Sequence, residues 1–294
     1  RVTPGGSVTT VAGNGEPGSA DGRGREARFN GPIGVAVGPD GSIVVADTYN
    51  DCIRLIAPDG RVSTIAGGSA PGHRDGEAAQ ALFDTPSGVA VDGAGVIYVA
   101  DTGNDAIRRI SRDGQVTTVG TRGSVGASFQ RVELFRPVGI ALKRGRKRGR
   151  EEFHNLPPGS GKPSTDIAES EIPPDPFFVT DGAGRVVALS AAGEVTVLAG
   201  TPAGPASDLP AGAGPTLRFL NPTGIAVASD GSLRVADSDS YMVRRITRPG
   251  DRVPSADVDL TPVPWLNAVT LRILTFPWPL DPQHEWHELA ATLG

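Results

Sequence analysis

The chain has 294 residues, with 28 Lys and Arg against 33 Asp and Glu and a formal net charge of −5. That balance gives no general drive toward nucleic acid, the 38% apolar content holds no run long enough to span a membrane, and a single cysteine, Cys52, excludes an intrachain disulfide. Glycine (40) and proline (26) are abundant but recur at a period, which separates the chain from low-complexity sequence.

From the N-terminus, Arg1 to Gly6 reads as the end of a strand and a turn, and Ser7 to Ala12 as a following strand. Pro32-Ile33-Gly34-Val35-Ala36-Val37 then predicts a short apolar strand, Pro39-Asp40-Gly41 a turn, and Ile43 to Ala46 a second strand ending at Asp47. Asn50 follows in a turn. Cys52 to Ile56 alternates, with Ile53 and Leu55 on one face and Arg54 on the other. Pro58-Asp59-Gly60 turns the chain into a fourth strand, Val62 to Ala66. The apolar runs between turn signals suit strands buried on both faces. Cys52 reads as a small buried hydrophobe on such a strand.

The same order returns three times. Pro86, Gly88, Asp101 and Asn104 repeat Pro32, Gly34, Asp47 and Asn50. Pro137, Gly139 and Asp181 form a third copy, and Pro222, Gly224 and Asp237 a fourth. Pro32 to Pro86 is 54 residues, Pro86 to Pro137 is 51, and Pro137 to Pro222 is 85, so the third copy carries an insertion between Leu142 and Phe177. Four antiparallel strands per unit at a period near fifty predict an all-β propeller with one blade per copy. Helical periodicity is nearly absent before Pro264.

Pro-x-Gly-Ile/Val-Ala-Val, Asp-Gly, Ile-Tyr-Val-Ala-Asp, Asn and Ile-Arg-Arg-Ile, best seen from Pro86 to Gly114, resemble the NHL repeat. The resemblance covers 1–250 and implies an NHL-type β-propeller, often of six blades. The third copy lacks the Asn and the Arg pair, and the fourth has Ser240 where Asn50 and Asn104 stand. Four visible repeats are expected to belong to a larger ring whose ends are cut here. In the alternative, the N-terminal strand completes the last blade and closes a four-bladed ring. The expected layout is a propeller over 1–250 with a flexible insert at 143–176, a proline-rich linker at 251–264, and a tail at 265–294 that starts a second domain or packs on the first.

Asp47, Asp101, Asp181 and Asp237 recur once per blade, so the primary reading is structural: a carboxylate bonding the turn at the strand end. The competing reading is a ring of carboxylates around a metal. Asn50 and Asn104 are expected to serve the turn likewise, and Arg54, Arg108, Arg109, Arg244 and Arg245 to pair with acidic neighbours. Asp21 and Asp75, again 54 apart, point to turn chemistry in the long glycine-rich loops Asn14 to Arg28 and Gly68 to Leu82. With Thr201 to Arg218, these loops are the candidate binding face. No catalytic residue, cofactor site or metal site is recognised.

Lys143 to Arg150 holds six basic residues in eight. Some NHL proteins bind RNA, but no aromatics interleave here and acidic residues follow, so a solvated loop is expected rather than a nucleic-acid site. His284-Glu285-Trp286-His287 lacks one residue of the zinc motif His-Glu-x-x-His. The tail does resemble the entry strand of a lysostaphin-type zinc endopeptidase domain, as joined to bacterial NHL propellers. The resulting expectation is a non-catalytic scaffold binding a protein or polysaccharide, in a bacterial secreted or cell-envelope protein. The alternatives are the targeting module of a zinc cell-wall endopeptidase, and a metal-dependent propeller enzyme of lactonase or lyase type. For the last, no blade strand offers a histidine.

Overall fold

Runs of Val, Ile and Ala between Gly, Pro and Asp turns fold as strands, and each copy of the repeat makes one antiparallel sheet. The computed structural model describes residues 1–68, 70–121, 134–142, 177–190, 193, 195–200, 219–229 and 231–246. The expected insert at 143–176, the linker, the tail and the loop 201–218 lie outside the described residues. The blades belong to one unit, Thr10–Arg252.

In blade 1, β1 (Gly22–Arg23), β2 (Pro32–Val37), β3 (Ile43–Asp47), β4 (Cys52–Ile56) and β5 (Arg61–Gly67) pair in the order β1-β5-β4-β3-β2. Blade 2 repeats this with β6 (Gly76–Glu77), β7 (Pro86–Val91), β8 (Ile97–Asp101), β9 (Ala106–Ile110) and β10 (Gln115–Thr121) in the order β6-β10-β9-β8-β7. Blade 3 holds β11 (Pro137–Leu142), β12 (Phe177–Asp181), β13 (Arg185–Leu189) and β14 (Val195–Ala199) in chain order. Blade 4, among the described residues, holds β15 (Pro222–Val227), β16 (Leu233–Asp237) and β17 (Met242–Ile246).

Blades 2 and 3 each pack one face on the blade before and the other on the blade after. Val44, Ala46 and Ile53 of blade 1 meet Val89, Ile97 and Val99 of blade 2. Tyr98, Ala100 and Ile107 of blade 2 meet Ile140, Phe177 and Val179 of blade 3, with the Tyr98 and Phe177 rings 5.0 Å apart. Phe178, Val186 and Ala188 of blade 3 meet Leu233 and Val235 of blade 4. Strands buried on both faces are the expected outcome of these short apolar runs.

The Pro-x-Gly motif has a second role that the sequence does not display. It places a register break in the innermost strand, between Pro32 and Val35, Pro86 and Gly88, Pro137 and Ile140, and Pro222 and Gly224. There the neighbouring inner strand comes into contact. A Cβ on Gly34 would lie 2.2 Å from the Ser87 carbonyl oxygen, on Gly88 2.3 Å from that of Val138, and on Gly139 2.3 Å from that of Thr223. Only a residue without a side chain allows this approach.

Hydroxyls staple the same junctions. Thr48 Oγ1 donates to the Pro86 carbonyl at 2.8 Å, and Thr102 Oγ1 to the Pro137 carbonyl at 2.6 Å. Ser87 Oγ donates to the Val138 carbonyl at 3.0 Å, and Thr180 Oγ1 to the Thr223 carbonyl at 3.1 Å. Each satisfies a carbonyl that would otherwise be costly to bury.

Residues Arg1–Thr9 fall outside the bladed unit and differ from expectation. Val2 bridges Val8, and Thr9 N donates to the Arg1 carbonyl at 2.9 Å. The Pro4-Gly5-Gly6 turn, closed by Gly6 N on the Thr3 carbonyl at 2.9 Å, folds the segment on itself. A continuous strand over Ser7 to Ala12 therefore does not form.

Candidate functional site

Every blade has two edges. At one, tight turns join β2 to β3 and β4 to β5. At the other, the chain enters the inner strand from a long loop, and a one-turn 3-10 helix, Thr48–Asn50 or Thr102–Asn104, joins the second and third strands. All the sequence-predicted repeat residues except the inner glycines gather at this second edge, here called the latch edge.

At its centre in blade 1, Asp47 and Arg54 are both fully buried. Their positions follow from adjacent strands, β3 and β4, which pair Asp47 with Cys52 and Val45 with Arg54. Arg54 Nη1 donates to Asp47 Oδ2 at 2.8 Å and to the Arg28 carbonyl at 2.9 Å. Its Nη2 donates to the Ala20 carbonyl at 2.9 Å and to Asp21 Oδ1 at 2.8 Å. The guanidinium also stacks 5.0 Å over the Phe29 ring. Asp47 Oδ1 accepts from the Asn30 N–H at 2.7 Å, and Asn50 Nδ2 donates to Asp47 Oδ2 and to the Gly18 carbonyl, each at 2.8 Å.

Blade 2 reproduces the constellation. Arg108 binds Asp101 at 2.8 Å, Asp75 at 2.6 Å, and the Leu82 and Arg74 carbonyls at 2.8 Å each, over Phe83 at 4.9 Å. Asn104 bonds Asp101 and the Gly72 carbonyl, and Asp101 accepts from the Asp84 N–H. Blade 4 keeps Arg244 on Asp237 at 3.0 Å and over Phe219 at 5.7 Å. Blade 3 has no such arginine on its third strand pattern. Arg185, four residues after Asp181, reaches that carboxylate through a turn of only Gly182, Ala183 and Gly184.

Three expectations are corrected here. The blade carboxylates do more than bond a local turn: Asp47 and Asp101 hold a loop N–H 17 residues earlier and a buried arginine seven residues later. Asp21 and Asp75 are likewise long-range partners. Asp75 accepts from the Thr118 N–H at 2.9 Å and Oγ1 at 3.0 Å, 43 residues away, as well as from Arg108. Of the pair Arg108 and Arg109, only Arg108 enters the latch, because alternation turns Arg109 to the opposite face beside Tyr98. Among the described residues, no group of three or more His, Cys, Asp and Glu side chains is placed to hold a metal ion.

The electrostatics follow from burial and donors. Burial pushes the Asp101 and Asp181 carboxyls above their ordinary value, against the pull of their hydrogen bonds and arginines. At half-exposed Asp75 burial also acts upward, but the Thr118 N–H, Arg108 and the Thr118 hydroxyl together outweigh it and hold the carboxyl below 3.8. A lowered carboxyl contributes stability above its unfolded pKa and loses it as pH falls through the folded value. Asp75→Asn is therefore expected to cost on the order of 1 kcal/mol at neutral pH. The difference from wild type should shrink below about pH 4. Thermal melts of both proteins across pH check this, and a difference independent of pH would contradict it. Asp101 and Asp181 act with the opposite sign but are present in both proteins and cancel.

Cys52 lies next to the latch on β4, 2% exposed. Burial, and next the Asp47 carboxylate, push its thiol up to about 12. A maleimide or Ellman reagent should leave it unmodified in the native chain and label it at the rate of unfolding. Prompt stoichiometric labelling without denaturant would contradict the burial.

The NHL repeat pattern matches residues 29–54 and 83–110, the stretches from the latch loop through the third strand of blades 1 and 2. Relatives include the chloroplastic protein SUPPRESSOR OF QUENCHING 1 of Arabidopsis thaliana, 35% identical over 136 residues, which is 45% of this chain and 12% of that protein. Human NHL repeat-containing protein 2 is 38% identical over 85 residues, 29% of this chain and 12% of that protein. The chain thus spans about an eighth of the length of these plant and animal relatives. Among solved structures, a virginiamycin B lyase from Staphylococcus aureus has a TM-score of 0.44 at 15% identity, covering 75% of this chain and 54% of that one. An auxiliary nutrient binding protein from Bacteroides ovatus has a TM-score of 0.49 at 18% identity, covering 75% and 49%. The chain is an all-β protein with four blades in a propeller arrangement, and two of those blades match the NHL repeat.

Proposed function

We propose that the chain is a non-catalytic propeller scaffold that binds a protein or polysaccharide partner on the loops of its latch edge. The observation that carries this reading is the immobilisation of those loops. In blades 1 and 2 one fully buried arginine holds two loop carbonyls and a loop aspartate, so a long glycine-rich segment is presented in a fixed shape. Fixed loops on a rigid scaffold lower the ordering cost of binding. The latch carboxylates are committed to backbone and side-chain donors and offer no proton-transfer role.

Exposed Tyr49 and His73 stand on this edge as contact groups. The test is an array of peptides and polysaccharides probed with wild type and with the combined Tyr49→Ala and His73→Ala variant. A ligand bound by wild type and lost about tenfold or more in the variant, with an unchanged melt, is the expected result. Equal binding by both would overturn the latch-edge placement, and turnover of an arrayed compound would overturn the non-catalytic reading.

An extracellular or cell-envelope location, a bacterial source and a peptidase partner domain remain proposals resting on the tail at 265–294. Detecting the chain with antibody in secreted and cellular fractions tests the location.

A further inference from the structure

On the inner rim of the latch edge, in blades 1, 2 and 3, two positions of one blade crowd each other. One is the residue before the inner-strand proline, and the other lies in the turn after the second strand. In blade 1 a Cβ on Gly31 would collide with the Tyr49 ring. In blade 2 a Cβ on Gly103 would lie 2.8 Å from Thr85 Oγ1 and closer still to the Asp84 carboxylate. In blade 3 a Cβ on Gly182 would lie 3.1 Å from the Arg136 Cβ. Glycine therefore takes one position of each pair, and the other position carries the side chain.

In the internal blades 2 and 3 that side chain stands where it strains the backbone. The residue before the proline has a positive φ in all three blades: 61° at Gly31, 44° at Thr85 and 42° at Arg136. The conformation serves the junction. It aims the Thr85 N–H at Asp51 Oδ1 of the preceding blade, 2.8 Å away, and the Arg136 N–H at Asp105 Oδ1, 2.7 Å away. Glycine would serve it without strain. A β-branched threonine is a genuine outlier there, and an arginine is strained as well. Neither side chain bonds to the fold. Among the described residues the Thr85 hydroxyl and the Arg136 guanidinium make no hydrogen bond or ion pair, and Arg136 is exposed. Strain retained for a side chain without a structural partner marks a contact surface.

We infer that the inner rim of blades 2 and 3 binds a polysaccharide in which uronic acid alternates with neutral sugars. The inference rests on the latch-edge binding reading and names its ligand class. Arg136 takes the sugar carboxylate, which a guanidinium pairs with two parallel hydrogen bonds. Thr85 and Asp84 take sugar hydroxyls, the first as donor and acceptor and the second as acceptor. The strands that these residues enter are neighbours, joined by Ser87 Oγ on the Val138 carbonyl at 3.0 Å, so both groups lie on one stretch of rim. Asp105, bonded to the Arg136 N–H, and Asp84 add negative charge to that stretch. One cation among carboxylates suits widely spaced negative charges and disfavours a dense run of them, as in an acidic peptide or a nucleic acid.

The experiment is calorimetric titration of the full chain with hyaluronan, whose uronic acid alternates with a neutral sugar, with carboxyl-reduced hyaluronan, and with polyglutamate. Wild type, Arg136→Gly and Thr85→Gly are compared. Wild type should bind hyaluronan about tenfold or more tighter than the reduced polymer. Arg136→Gly should lose about tenfold or more of that affinity, and Thr85→Gly about threefold. Both variants should melt at or above the wild-type temperature, because glycine relieves the positive φ. A lowered melt in either variant assigns its side chain to the fold and overturns the inference. Absence of hyaluronan binding overturns it, as does binding that Arg136→Gly leaves unchanged. Polyglutamate bound as tightly as hyaluronan overturns the sugar assignment in favour of an acidic protein. If any of these occurs while the arrayed ligand is still lost in the Tyr49 and His73 variant, the scaffold reading stands and the rim assignment alone falls.

Discussion

Replacing Arg108 with Met is expected to cost about 3–5 kcal/mol of folding free energy, the penalty for leaving one member of a buried ion pair behind. Asp101 is fully buried, and without the guanidinium its carboxylate keeps only Asn104 and the Asp84 N–H. The same substitution releases Asp75 and the Leu82 and Arg74 carbonyls, so the loop before blade 2 loses its anchor as well. Arg109→Met, one residue along and on the opposite face, supplies the control and should cost no more than about 1 kcal/mol. Urea unfolding of both proteins decides the matter. Equal midpoints would mean that the latch contributes nothing beyond packing. In the double variant with Asp101→Asn the losses should be well below additive, since the second change removes the charge that the first leaves unpaired.

The second large effect is expected at Gly88. An alanine Cβ there would lie 2.3 Å from the Val138 carbonyl oxygen and 3.2 Å from the Ile140 N–H, both backbone atoms of a strand packed on two sides. Neither can yield without moving blade 3, so Gly88→Ala should cost about 3 kcal/mol or more, the upper end of overpacking effects. Gly224→Ala is the matched control. It has the same motif position in its own blade and ordinary contact at 3.5 Å, so its monomer stability should stay within about 0.5 kcal/mol. Comparing urea midpoints of the pair separates the junction effect from the general effect of alanine in a strand. Similar losses in both would place the cost in the strand itself.

Much of the architecture is legible in the sequence because it depends on local signals. Pro39-Asp40-Gly41, Pro58-Asp59-Gly60 and Asp113-Gly114 mark turns, and the apolar runs between them have strand length. The period then stacks the units, and β3, β4, β8 and β9 form where the patterns predict them. The latch is legible only as a list of repeated residues. That Asp21 and Asp75 recur 54 apart is visible, but their partners lie 33 and 43 residues away and are joined by sheet pairing. The pattern Ile-Arg-Arg-Ile states that one arginine faces each way. It does not state which one is buried, which is settled by the carboxylate at the end of the adjacent strand. Blade 3 shows the limit most clearly. With its arginine pattern missing, the chain recruits Arg185 from a shortened turn, a substitution in space that no alignment of the copies exposes. The inner glycines are legible as a motif, but the reason for them, contact with the next strand's backbone, lies 50 to 84 residues further on.

The arginines of blades 1 and 2 fasten their loops mainly through peptide oxygens at Ala20, Arg28, Arg74 and Leu82. Every amino acid supplies that oxygen, so the anchorage is indifferent to which side chains the loop carries. Apart from its aspartate, the glycines that turn it and the alanine it buries, Ala27 or Ala81, such a loop can be rewritten without loosening its attachment. The blade edge is in effect a socket that accepts many inserts. A descendant of this chain could change what it recognises by exchanging loop residues while its framework stays the same. A library randomised at the exposed positions Glu77, Ala79 and Gln80 would be a direct way to exploit that freedom.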